Sequence, residues 1–222
     1  MKRGLLLQLA ILTSAVFFLS SCDKHIVKGN GSTGSEERSI ANFSRVLLEC
    51  EGTIQIDRGP AFKVVVTDDD NLLSYVKTRL VGDELRVSYK DNTWVRKGSL
   101  VVKVTMPDLS AVKVDSKGTI DVIGTFNIAG TFSTSVDGLG KIYVRDAQAN
   151  EIKVNIDGKG DVYAFGLKAQ KATVKIDGMG DAEINVADAM DVNISGSGDV
   201  YYMGNPPVIT TKISGKGKII KR

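Results

Sequence analysis

Ile156-Asp157-Gly158-Lys159-Gly160-Asp161-Val162 is the stretch that decides the fold, because close copies of it recur through the C-terminal half of the chain. The copies are Val136-Asp137-Gly138-Leu139-Gly140-Lys141-Ile142, Ile176-Asp177-Gly178-Met179-Gly180-Asp181-Ala182, Ile194-Ser195-Gly196-Ser197-Gly198-Asp199-Val200 and Ile213-Ser214-Gly215-Lys216-Gly217-Lys218-Ile219. Their first glycines stand at 138, 158, 178, 196 and 215, so the steps are 20, 20, 18 and 19 residues. Repetition at such a period marks a solenoid, in which each repeat buries its apolar face on its neighbours. A looser copy, Val114-Asp115-Ser116-Lys117-Gly118-Thr119-Ile120, fits upstream when Gly118 is matched to Gly140.

Every copy has alternating apolar residues, a Gly-x-Gly corner, and alternating apolar residues again. Val154 and Ile156 enter one corner, and Val162 and Ala164 leave it. Period-2 alternation of this kind predicts short strands with one buried face. The paired glycines predict a corner with φ > 0, and the Asp or Ser before the first glycine predicts an Asx turn. The resulting architecture is all-β, a parallel β-helix with about 20 residues per coil and strands about 4.8 Å apart. Parallel crossovers favour the right hand.

The N-terminus has a different character. Lys2-Arg3 precedes an apolar run from Leu5 to Leu19, which ends in Leu19-Ser20-Ser21-Cys22. A basic start, a short apolar run and small residues describe a secretory signal peptide over residues 1–21. The run with its cysteine resembles the lipobox of bacterial lipoproteins, which implies lipidation of Cys22 and a membrane partner reached through the N-terminal anchor. Asp23 follows the cysteine, and the outer membrane is the expected location.

Without residues 1–21 the chain has 222 − 21 = 201 residues and 29 − 2 = 27 basic groups against 26 acidic ones, a net charge of +1. Such a balance offers no basic field for nucleic acid. Cys50 is then the remaining cysteine and lies in the alternating run Val46, Leu48, Cys50, which suits a small buried residue. Residues 22–38 carry the lipidated cysteine and a Gly/Ser-rich stretch that reads as a flexible tether. The single histidine, His25, lies there. The body, residues 39–222, is one domain, irregular over 39–108 and regular over 109–222.

In the irregular half, Phe43 to Ile56 reads as a worn repeat, and Phe62 to Val66 as a strand. Thr67-Asp-Asp-Asp-Asn-Leu72-Leu73 reads as a short N-capped helix. Strands follow near 78–80, 84–90 and 99–106. Asp91 to Gly98 between the last two reads as a loop displaying Trp94.

The order of these pieces resembles a known family. A lipoprotein signal is followed by Phe43-Ser44-Arg45-Val46, Asp69-Asp70-Asn71-Leu72, Gly82-Asp83-Glu84-Leu85-Arg86-Val87, Met106-Pro107-Asp108-Leu109 and the Gly-x-Gly-Asp corners. Over about residues 40–220 the chain is similar to the auto-transporter adhesin, head GIN domain family. The resemblance implies a β-helix and a role in adhesion. It brings no catalytic residues.

Three function classes are weighed on the residues. The leading one is a non-catalytic envelope module that binds a saccharide or a protein, with no cofactor. A carbohydrate-active enzyme would need paired carboxylates in a groove, and here the acidic residues recur at corner positions. A calcium-stabilised repeat would use ladders of Asp137, Asp157 and Asp177, or of Asp161, Asp181 and Asp199. For the binding module, alternation puts Tyr143 and Arg145, Tyr163 and Phe165, Glu183 and Asn185, and Tyr201 and Met203 on the outer surface of successive coils. Tyr143, Arg145, Tyr163, Phe165, Glu183, Asn185 and Tyr201 therefore form the candidate ligand strip. The plain alternative is that cross-strand tyrosines only stabilise the sheet.

Overall fold

A computed structural model describes residues 25–222. The signal peptide and Cys22 lie outside the described residues. The chain in order forms β1 (His25–Lys28), β2 (Thr33–Arg38), β3 (Arg45–Leu48), β4 (Thr53–Arg58) and β5 (Lys63–Asp69). It continues through α1 (Asp70–Leu73), β6 (Val76–Val81), β7 (Glu84–Tyr89), β8 (Thr93–Arg96) and β9 (Val101–Met106). The regular half comprises β10 (Ala111–Val114), β11 (Thr119–Val122), β12 (Phe126–Val136), β13 (Lys141–Val144), β14 (Ala147–Ile156) and β15 (Asp161–Ile176). It ends with β16 (Ala182–Ile194), β17 (Val200–Met203), β18 (Val208–Ile213) and β19 (Ile219–Lys221).

The repeat is a parallel β-helix. Strands before and after each corner pair with their counterparts in the next coil, with Val136 opposite Ile156, Ile156 opposite Ile176, and Ile176 opposite Ile194. Thr119 lies opposite Lys141 and also opposite Thr53, so Gly118 matches Gly140, and the stretch around Gly52 is a true coil. Inward rows such as Ile54, Ile120, Ile142, Val162, Ala182 and Val200 are fully buried. Full burial of a Val or Ile contributes about 1.5–3 kcal/mol, so rows that run through the stack supply most of its cohesion. Thr134 interrupts one apolar row and stays satisfied by donating to the Lys153 carbonyl at 3.3 Å.

The corners form for a different reason from the one expected. Among the described glycines, only Gly31, Gly52, Gly82 and Gly204 have positive φ, and none of these is a glycine of the regular corners. What excludes a side chain is the next coil: a Cβ on Gly158, Gly178, Gly196 or Gly215 would run into the carbonyl of the preceding corner's first glycine. Those carbonyls accept hydrogen bonds from the corner above, Lys159 N–H to Gly138 at 2.9 Å and Met179 N–H to Gly158 at 2.7 Å. Backbone stacks on backbone, and only glycine leaves the room.

The Asx turns are replaced too. Asp137 binds Lys113 at 2.6 Å and Asp177 binds Lys175 at 2.5 Å. The second aspartate of each corner works between coils instead. Asp161 accepts the Asp181 N–H at 3.1 Å, Asp181 accepts the Asp199 N–H at 2.7 Å, and Asp199 accepts the Lys218 N–H at 2.7 Å. Among the described residues no cluster of His, Cys, Asp or Glu is arranged to hold a metal ion.

The irregular half departs from sequential stacking. β3 and β4 lie between the coil made by β7 and β9 and the coil made by β10 and β11. Residues between β4 and β10 therefore fold back past their own starting coil. Antiparallel pairs β5 with β9, β2 with β5 and β6 with β7 close that side of the stack, so the pairing is not parallel throughout.

Two expectations are corrected here. Much of residues 22–38 is not a free tether, since β1 pairs with β8 and β2 with β5. The 91–98 loop itself contains β8. The ordering comes from the acidic stretch. Asp69 is the N-cap of α1 but its side chain makes no capping bond; its carboxylate accepts the Gly31 N–H and the Ser99 hydroxyl, the latter at 3.2 Å. The Asp70 N–H donates to the Ser32 carbonyl at 2.7 Å. Asp68 is fully buried and accepts from Tyr89 Oη at 2.7 Å, Ser99 N–H at 2.8 Å and Asp69 N–H at 2.8 Å. A buried carboxylate persists only with such a set of donors.

Candidate ligand-binding strip

Alternation fixes which side chains leave the sheet after each corner, and the pairing register fixes which of them meet. Asp121, Tyr143, Tyr163, Glu183 and Tyr201 lie opposite one another in successive coils. The rings of Tyr143 and Tyr163 stack with centroids 4.8 Å apart and planes 11° from parallel. Consequently both tyrosines are half-buried rather than fully displayed.

Cations frame the rings. Arg145 is seated over Tyr143 with its guanidinium 5.6 Å from the ring centroid, and it grips Asp121 through two bonds of 2.7 and 2.9 Å. Lys141 lies over Tyr163 at 5.7 Å, and Arg222 lies over Tyr201 at 4.5 Å. The negative face of an aromatic ring attracts each cation. Tyr163 donates to Asp161 at 3.1 Å and Tyr201 to Asp199 at 3.4 Å. Both phenols are held above the usual tyrosine range, first by burial and then by neighbouring carboxylates. Burial also raises the Glu183 carboxyl, against the pull of Arg222.

Of the seven strip residues the sequence singles out, five share this ridge: Tyr143, Arg145, Tyr163, Glu183 and Tyr201. Phe165 and Asn185 do not extend it. After Ala164 the register shifts, and the Asn185 amide reaches the Phe165 carbonyl at 3.4 Å, bracing one coil on another. Asp121, Lys141, Asp161 and Arg222 belong to the ridge and were missed. Asp121 was legible, since Ile120-Asp121-Val122 repeats the pattern of Ile142-Tyr143-Val144. Arg222 was legible in the same way, since it follows Ile219 by three residues as Arg145 follows Ile142.

Other features of the surface are chemically quieter. A groove of about 310 Å³ runs beside Lys113, Ser133, Lys153, Asn155 and Lys175. Its lysines are paired: Lys113 with Asp137, Lys153 with Glu151 at 3.8 Å, and Lys175 with Asp177. Cys50 is partly buried against the core, and burial, assisted by Asp68 and Glu49, pushes its thiol up to about 12. A thiol held that high stays protonated and is a poor nucleophile.

Solved structures share this fold. A protein of Bacteroides fragilis described as a "putative adhesin" matches with a TM-score of 0.71 at 16% identity, covering 88% of this chain and 100% of its own. A "putative adhesin" of Parabacteroides merdae matches at 0.54 and 22% identity, covering 89% and 99%. A "putative lipid binding protein" of Parabacteroides distasonis matches at 0.56 and 21% identity, covering 89% and 99%. No curated protein matches the sequence. The family model described as "putative auto-transporter adhesin, head GIN domain" matches residues 42–206, and with the β-helix in place this chain belongs to that family.

Proposed function

We propose that this protein is a non-catalytic lipoprotein of the outer membrane that binds a saccharide or a protein through the Tyr143–Tyr163–Tyr201 ridge. Membership of an adhesin family supports a binding role at the cell envelope. The observation that carries the finer reading is the stacked Tyr143–Tyr163 pair beside the Arg145–Asp121 clamp. Together they make a ridge of stacked ring edges with fixed hydrogen-bonding neighbours. Half-buried aromatics and an oriented arginine are the groups that dominate binding energy at protein surfaces. The ridge also suits a saccharide, whose C–H groups pack against the tyrosine ring edges while its hydroxyls meet Glu183 and Arg145. The anchor is the lipidated Cys22, as the Leu19-Ser20-Ser21-Cys22 stretch implies.

The test is a glycan and matrix-protein array probed with wild-type protein and a Tyr143→Ser, Tyr163→Ser, Tyr201→Ser variant. Loss of signal with little change in melting temperature is the expected result, and unchanged binding would dismiss the ridge. For the anchor, Cys22→Ala is expected to abolish incorporation of labelled fatty acid and partitioning into detergent.

A further inference from the structure

β1 and β8 form a two-stranded sheet of their own, apart from the 17-stranded sheet that makes up the helix. Ile26 lies opposite Trp94 and Lys28 lies opposite Arg96. Alternation places these four on one face of the ribbon, and all four are exposed. Ile26 and Trp94 are 54% and 53% exposed, among the most exposed large apolar side chains described, and they are registered neighbours. The Arg96 guanidinium lies 5.8 Å from the Trp94 ring. Lys97 and Lys90 are exposed on the flank.

Two strands of four residues are marginal in water on their own, yet this ribbon is firmly tied down. Within it, His25 N–H donates to Asn92 O at 2.8 Å and Gly29 N–H to Arg96 O at 3.0 Å, and further bonds reach the body. The Asn71 amide donates to Lys28 O at 2.9 Å, and the Asn30 amide donates to Asp70 at 2.6 Å. The His25 and Tyr75 rings stack at 6.0 Å. The ribbon is thus fixed to the folded body while its apolar and basic face looks outward.

Chain geometry supplies the occupant. Only Asp23 and Lys24 separate Cys22 from the first residue of β1. Three residue steps span at most about 11 Å. An acyl group on Cys22 therefore keeps the start of β1 within about 11 Å of the anchored residue whatever the linking residues do. Tryptophan and an aliphatic residue flanked by lysine and arginine suit the interfacial zone, where the ring sits among head groups and long cations reach phosphates.

We propose that the β1–β8 ribbon docks on an anionic phospholipid surface, with Ile26 and Trp94 entering the interface and Lys28 and Arg96 pairing with phosphate. The proposal rests on lipidation of Cys22. It turns the anchor from a leash into a mount, since the ribbon then sets how the β-helix stands on the membrane.

Trp94 is the sole tryptophan, so its fluorescence reports this face alone. Acylated full-length protein reconstituted in phosphatidylethanolamine–phosphatidylglycerol vesicles should show blue-shifted emission, protection from acrylamide, and quenching by brominated lipid. A Lys28→Gln, Arg96→Gln variant should stay anchored but lose most of that protection, with its circular dichroism unchanged. Acylated protein whose Trp94 remains open to acrylamide and insensitive to brominated lipid would overturn the docking while leaving the anchor standing. Undiminished quenching in the double variant would overturn the pairing with phosphate. Absence of fatty acid on Cys22 would overturn anchor and docking together.

Discussion

The carbonyl oxygen of Gly158 occupies the space that a Cβ on Gly178 would need. Neither residue has an unusual φ, so the constraint belongs to the stack and not to the turn. Adding the methyl must push one coil off its neighbour and lengthen the 2.7 Å bond from Met179 N–H to Gly158 O. Gly178→Ala is expected to cost about 1–3 kcal/mol, as overpacking does elsewhere. Gly130→Ala, where a Cβ meets nothing within 4 Å, should be nearly neutral. Denaturant midpoints of the two variants check the difference.

The aspartate ladder gives a second test. Asp181 accepts from Asp199 N–H at 2.7 Å, and its own N–H donates to Asp161. Asp181→Ala removes an acceptor that holds two coils together, and charge-assisted bonds contribute about 1.5–3 kcal/mol. Asp181→Asn keeps an oxygen in the same place and should recover a good part of that. Chelator should leave the melting temperature of the wild type unchanged, because backbone N–H groups already occupy these carboxylates. A clear drop with chelator would restore the calcium reading.

Alkaline pH should unfold this protein from one side. Burial pushes the Cys50 thiol up to about 12 in the folded chain, from an ordinary value of 9.0. Tyr89, which donates to buried Asp68, is also held above its ordinary range, chiefly by burial. Both groups release protons more readily when unfolded, so stability is full below about pH 9 and falls as pH rises from there toward 12. Cys50→Ala removes one of the two contributions, and its urea midpoint should decline less steeply between pH 9 and 11 than that of the wild type.

The last coil leaves its edge open. β18 is exposed along its whole length, with Ile209 and Ile213 each 44% accessible at positions that are inward in the coil before it. Lys212, Lys216, Lys218 and Lys221 surround that rim, and charge on an edge discourages pairing with another chain. Removing residues 208–222 would bare Met190, Val192 and Ile194, now almost fully buried, without those lysines. The truncated protein is expected to aggregate, as light scattering would show, while the full chain stays dispersed.

The repeating half of this protein is legible in its residues alone. Each coil pairs with a copy of itself about 20 residues away, so the spacing of Gly158, Gly178 and Gly196 already contained the register, the buried rows of Val and Ile, and the meeting of Tyr143 with Tyr163. The other half took its shape from long-range packing. Ser110 donates to the Ser44 carbonyl, 66 residues away, because the intervening segment folds back past its starting coil. No period announces such a contact. The same holds for Asp68 and Asp69, whose bonds to Tyr89, Ser99 and Gly31 turn a stretch with the composition of a tether into strands. Repetition makes neighbours in space readable from neighbours in pattern; where the pattern stops, partners are chosen by burial and hydrogen bonding across long chain separations, which alternation and spacing do not encode.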